Sequence, residues 1–164
     1  MHLNYTALTG ALEKEKVMPQ HGKVVSIYLY PQRGAEPVEV NDAVAIVGKG
    51  LDGDQPRAFK RQVTLLSLEA WQQATAELGA DLPPCTRRAN IVLSGVDLST
   101  TIGKSIRIGE MRLQVHGETM PCATMDAAKQ GLKDALTPNM RAGVYGAVLE
   151  GGRVAVGDSV RVEE

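Results

Sequence analysis

Ile106-Arg107-Ile108-Gly109-Glu110-Met111-Arg112-Leu113-Gln114-Val115 is the stretch on which the fold turns. Apolar residues alternate with polar ones on both sides of Gly109-Glu110, the period of strands that bury one face, and a two-residue link with glycine first is a tight hairpin turn. Near the C-terminus Val154 and Val156, then Gly157-Asp158, then Val160 and Val162 repeat the pattern, so a second hairpin is expected there. Four more strands follow from the same reasoning. Residues 23–30 set Val25, Ile27 and Leu29 against Val24, Ser26 and Tyr28 before Pro31 ends the run, and residues 38–47, 62–66 and 90–93 supply the others.

Helices are fewer. Ser67 reads as an N-cap, Glu69 suits the first turn, Gly79 stops the run after Leu78, and Leu68, Trp71, Thr75 and Leu78 share the face that packs on a sheet. A second helix is expected over residues 125–136, where Met125, Ala128, Leu132 and Leu136 share a face that Gly131 weakens. The expectation is a mainly β domain with two or three short helices, closed or nearly closed into a barrel, because closure removes bare strand edges. Residues 1–22, with the charge cluster Glu13-Lys14-Glu15-Lys16, read as an N-terminal extension, partly helical or frayed, and residues 23–164 as one domain.

Composition bounds the function. With 18 basic and 19 acidic residues and a net charge of −1, the 164-residue chain is not built to bind a nucleic-acid backbone or an anionic membrane surface. It has no apolar run near the roughly 20 residues of a membrane helix. The N-terminus lacks the basic-then-apolar pattern of a secretory signal, so a cytoplasmic location is expected. The two cysteines, Cys85 and Cys122, do not form a CxxC pair; a zinc site is not expected, and a Cys85–Cys122 bridge stays open.

Two glycine motifs are decoys. Gly48-Lys49-Gly50-Leu51-Asp52-Gly53 has the letters of a dinucleotide fingerprint, but Pro56 and the basic residues after it stand where an apolar helix face should begin. Gly103-Lys104-Ser105 resembles the end of a phosphate-binding loop, yet Leu98 occupies the position of its first glycine.

The chemistry points to Thr119-Met120-Pro121-Cys122. A strand ends there, proline bends the chain, and a cysteine precedes a helix whose first amides favour a thiolate. The competing reading is a small packed hydrophobe. Basic residues gather at loop edges: Arg57, Lys60 and Arg61 after the glycine turn, Arg87 and Arg88 before a strand, and Arg141 in the turn over 138–143. Arginine's planar fork suits phosphate or carboxylate if several converge. His116 is a candidate base for Cys122, and Asp52, Asp54 and Glu118 are candidate cation ligands, although turn capping explains the two aspartates equally well.

Taken in order, Gly50-Leu51-Asp52-Gly53-Asp54, Arg61-Gln62-Val63-Thr64-Leu65-Leu66-Ser67, Arg88-Ala89-Asn90-Ile91-Val92, Pro121-Cys122-Ala123-Thr124-Met125 and Gly151-Gly152-Arg153-Val154-Ala155-Val156-Gly157-Asp158 make the chain resemble a stand-alone MOSC domain, the family named for the C-terminal domain of molybdenum cofactor sulfurase. The resemblance runs from about Lys23 to Val162 and implies a MOSC-type β-barrel, similar to that of pyruvate kinase, with an intracellular molybdenum or sulfur role. It implies that Cys122 either ligates the molybdenum of a molybdopterin cofactor, reducing N-hydroxylated compounds, or carries a persulfide for delivery to a metal cofactor. The implied partners are an electron-donor protein or a cysteine desulfurase. On the same grounds Arg88, Asn90 and Arg141 fall on motifs that help form the cofactor cleft, and Arg57 or Arg61 meets its phosphate. One departure is that Gln55-Pro56 follows Asp54 where many members have a histidine. Without the desulfurase domain of full sulfurases, pyridoxal phosphate is not expected in this chain. A third reading is a non-enzymatic barrel binding a small anion or a partner.

Overall fold

The computed structural model describes residues 20–163; the reading of residues 1–19 as a helical or frayed extension lies outside them. Eleven strands and three helices are found among the described residues. Seven of the strands close a barrel: β1 (His21–Leu29), β5 (Val63–Ser67), β6 (Ile91–Ser94), β7 (Ser105–Ile108), β8 (Met111–Glu118), β9 (Val144–Glu150) and β11 (Ser159–Glu163) run in the order β11-β7-β8-β9-β5-β6-β1, and β1 pairs back onto β11. β2 (Val38–Val40) extends the sheet outside the ring on β1, and β10 (Gly152–Ala155), β3 (Asp42–Ile46) and β4 (Gly50–Leu51) form a second small sheet. Every pairing is antiparallel except β5 with β6, whose connection contains helix α1 (Leu68–Glu77). That is the expected consequence of parallel pairing, which needs a long crossover.

The barrel interior is filled by the alternating residues that the sequence pattern picks out, among them Ile106, Ile108, Met111, Leu113 and Val115 of the β7–β8 hairpin. A second cluster lies between the sheet and the helices, with Trp71, Tyr30, Leu66, Val92, Leu132 and Leu136 at its centre. Ser67 caps α1 by accepting the Ala70 N–H at 3.2 Å, and the Trp71 indole donates to the Leu82 carbonyl at 2.9 Å, which ties the proline-rich linker to the helix. No helix among the described residues is long and apolar enough to cross a membrane.

Several expectations are corrected. The first strand starts at His21, not Lys23, because His21 and Gly22 pair with Arg161 and Val160. Its simple alternation fails: a bulge between Val24 and Ser26 opposite β6 turns Val25 outward while Val24 and Ile27 both enter the barrel core. Residues 38–47 form two strands, β2 and β3, in different sheets. The Gly157-Asp158 turn exists, closed by the Asp158 N–H on the Ala155 carbonyl at 3.0 Å, but its strands do not pair with each other. β1 lies against the turn, with Val24 donating to Asp158 and Gly157 donating to Val24, so β10 joins β3 and β11 joins β1 and β7. The helix over 125–136 is broken into α2 (Ala123–Ala128) and α3 (Leu132–Leu136) at Gly131, whose φ of 91° no helix tolerates.

Candidate functional site

Four arginines line one narrow cleft. Arg57 and Arg61 arrive on the loop between β4 and β5, and Arg87 and Arg88 on the 3-10 turn Pro84–Arg87 and the residue after it. Thr64 of β5 and Thr119 at the end of β8 complete the walls. The cleft holds about 30 Å³, a size for a small ion or the terminal group of a larger ligand and not for a ring system.

Each arginine is oriented by a protein contact that leaves other donors unused. Arg57 Nε donates to the Asp54 carboxylate at 2.7 Å, and the nearly buried Asp54 also accepts the Tyr30 N–H at 2.9 Å, which locks the loop against β1. Arg61 lies over the Tyr145 ring, 5.6 Å from its centre. Arg88 adopts a left-handed backbone, φ 64°, donates to the Ala35 carbonyl at 2.8 Å and stacks 4.3 Å over the ring of Tyr30. The Tyr30 hydroxyl beneath it is buried with no hydrogen-bond partner among the described residues, and that burial pushes the phenol's pKa far up. Arg87 donates from Nε to Ala142 at 2.9 Å and from Nη2 to Thr119 at 3.0 Å and Met120 at 3.3 Å. Burial, and after it the charge of Arg61, lower the pKa of Arg87. Among the described residues a single carboxylate, Asp54, pairs with this group, through Arg57, so their cleft carries net positive charge that an anion would neutralise.

Cys122 lies beside the cleft. Thr119, three residues earlier, is part of its wall, Pro121 is buried, and Cys122 occupies the N-cap position of α2 with its side chain exposed. The thiol is therefore presented to solvent and is not the packed hydrophobe of the competing reading. The Thr124 hydroxyl beside its sulfur, then the Thr124 amide and the Arg87 charge, hold its pKa below the ordinary thiol value.

The other sequence candidates fall elsewhere. Asn90 is fully buried and structural, accepting from the Thr64 amide at 3.1 Å and donating to the Tyr28 carbonyl at 3.2 Å, so that it fastens β5 and β1 beneath the cleft. Arg141 pairs with Glu77 at 3.0 Å and donates to the Ala135 carbonyl, which takes its guanidinium toward the end of α1 and out of the arginine cleft. His116 occupies the second bulge of β8 and makes no hydrogen bond to Cys122. Asp54 is committed to Arg57 and Tyr30, and no group of three or more His, Cys, Asp or Glu side chains among the described residues is placed to hold a metal ion. Arg87 stood in the sequence only as one loop-edge cation among several; the fold brings Thr119, Met120 and Ala142 to its guanidinium. Arg57 also borders a larger neighbouring cavity of about 200 Å³, lined by Ile46, Lys49, Leu51 and the segment from Asp52 to Pro56.

Comparison with known proteins supports this picture at the level of fold and family. The family model described as MOSC domain matches residues 23–161. Among solved structures the chain is similar to the YUAD protein from Bacillus subtilis, with a TM-score of 0.74 and 19% identity over 88% of this chain and 97% of that one. YiiM from Escherichia coli gives a TM-score of 0.67 at 19% identity, covering 89% of this chain and 71% of that one. YiiM from Geobacillus stearothermophilus gives 0.70 at 17%, covering 87% and 75%. A search of curated proteins finds none that matches.

Proposed function

We propose, from the premise that this chain belongs to the MOSC domain family, that it binds a molybdenum-pterin cofactor with Cys122 as the protein's thiolate ligand and reduces N-hydroxylated compounds at that centre. The observation that carries this reading is the exposed, acidified thiol of Cys122 next to a cleft of four arginines with one carboxylate among them.

The residues fit such a group. A lone soft thiolate with no cluster of further ligands suits a metal that arrives with most of its donors already supplied by its own cofactor. The arginine cleft has the size and charge for a terminal phosphate, and the 200 Å³ cavity on the other side of Arg57 has room for fused rings. Arg61, Arg87 and Arg88 would hold the anionic end. Asp54 fixes Arg57 between the two compartments, and buried Pro121 sets the direction in which Cys122 projects. When bound, the cofactor supplies the redox chemistry, while the protein supplies ligand, orientation and charge. Electrons would come from a flavin or iron–sulfur partner protein.

Metal analysis of protein made in a molybdenum-replete host tests the reading. Molybdenum should approach one atom per chain in the wild type and fall to background in Cys122→Ser. No molybdenum in either protein would sink it. A second reading draws on the exposure of Cys122, which a sulfur carrier needs in order to meet its partners: a Cys122 persulfide, loaded by a cysteine desulfurase, delivers sulfur to a metal cofactor. Intact mass after incubation with a desulfurase separates the two, since only the carrier gains one sulfur atom that Cys122→Ser does not.

A further inference from the structure

Arg87 belongs to two structures at once. It is a wall of the arginine cleft, and it is also the tie between the segment before β9 and the segment that leads to Cys122. Thr119 is secured without it, since its amide donates to Gly143 at 2.9 Å and its hydroxyl donates to Ala142 at 2.7 Å. Beyond Thr119 the anchoring thins. The Met120 side chain is 63% exposed, and the Met120 carbonyl has Arg87 as its hydrogen-bond donor, at the longest distance of the three.

The other side of the guanidinium is underused. Nε and Nη2 are engaged with carbonyls, whereas Nη1 has no protein acceptor among the described residues; of the nearby charged groups Arg61 repels the guanidinium and the thiolate of Cys122 attracts it. An anion accepting from Arg61 and from Arg87 Nη1 would turn that repulsion into a bridge and restrict the guanidinium from its second side.

We propose that Arg87 is a positioning residue that couples occupation of the arginine cleft to the placement of Cys122: an anion in the cleft fixes the Arg87 fork, and the fixed fork holds the Met120 carbonyl and the chain that follows it. The proposal rests on the cleft being an anion site, as in the function proposed above, but not on molybdenum being the metal or on any metal being present. In its consequence, the cofactor's anionic end would place the ligand for the cofactor's metal end.

The test is hydrogen exchange on the full chain without cofactor, at one pH, with and without saturating inorganic phosphate. In the wild type, phosphate should slow exchange of the amides of Met120, Cys122, Ala123 and Thr124 by about tenfold, as expected when a local opening is suppressed. Arg61→Gln should need more phosphate yet show the same protection at saturation. Arg87→Lys, which keeps the charge but loses the two-sided fork, should bind phosphate and give no protection of this segment, and Arg87→Gln should do the same with weaker binding. The lysine and Arg61 variants carry the test if Arg87→Gln does not fold. Phosphate that saturates the wild type without slowing these amides would overturn the coupling, as would equal protection in Arg87→Lys or no measurable phosphate binding. Protection found in a chain that never loads molybdenum would sink the cofactor reading alone, and molybdenum loading without protection would sink the coupling alone.

Discussion

Arginine is used in two opposite ways in this molecule. On the outer faces of the strands Arg107 meets Glu150 at 2.7 Å, Arg112 meets Glu163 at 2.9 Å and Arg153 meets Asp42 at 3.0 Å, so each cation has its carboxylate. In the cleft, among the described residues, Arg57 alone of the four arginines has a carboxylate, and the others are steered by carbonyls and aromatic rings. The first arrangement is neutral and wet. The second keeps its charge, and the contacts that hold it leave donors free, which is what recognition of an anion requires.

The sharpest break between the two groups should come at Asp54. Asp54→Ala strips the buried partner from Arg57 and the acceptor from the Tyr30 amide, and should cost about 3 kcal/mol in urea unfolding. A loss under 1 kcal/mol would mean that water, not Asp54, holds Arg57. Arg87→Ala comes next at about 2 kcal/mol, because the Thr119 and Met120 carbonyls lose the Arg87 donor and Ala142 keeps only that of the Thr119 hydroxyl. Arg112→Ala, in the paired group, should change stability by no more than about 1 kcal/mol, and less in high salt. An Arg112 effect as large as that of Arg87 would erase the distinction.

The smallest effect is a pH dependence. The hydrogen bond from Arg112, with a further one from Ser105, holds the Glu163 carboxyl below its ordinary value. As pH falls the unfolded chain takes this proton first, so the stabilisation is complete above the ordinary carboxylate pKa of about 4.3 and is lost as pH drops through the lower native value. Glu163→Gln should flatten the acid limb of the stability curve in that window by lowering stability slightly at neutral pH, with little difference from the wild type at the acid end. An unaltered acid limb would show that the pair is too solvated to matter.

What could be read from the sequence follows from the range over which each signal acts. Alternation around Gly109-Glu110 located a true hairpin, and Ser67 with Gly79 bounded α1 to within a residue or two. Both depend on near neighbours. The same alternation around Gly157-Asp158 located two strands but not their partners, because β1 arrives from far away in sequence to separate them. The site divides similarly. Cys122, Arg57, Arg61 and Arg88 could be singled out by residue type and motif, and three of the arginines do meet. Asn90 and Arg141 carried the right chemistry, but burial turned one into a strand fastener and Glu77 drew the other away. Arg87 could be marked only as one of several loop-edge cations until its three carbonyl acceptors had been assembled from separate parts of the chain.

Closure of the barrel sets the schedule on which the molecule can be made. β1 is made before all its partners, β2, β6 and β11, and His21 lies opposite Arg161, far along the chain. Until β11 has left the ribosome, β1 and β7 each have an unpaired edge, and bringing such distant segments together carries a loop-closure cost that local hairpins escape. The β7–β8 hairpin and α1 can form from neighbouring residues, while the ring closes only with β11, so the nascent chain exposes strand edges to pairing with other chains until β11 is made. Folding in the millisecond-to-second range is the expected result.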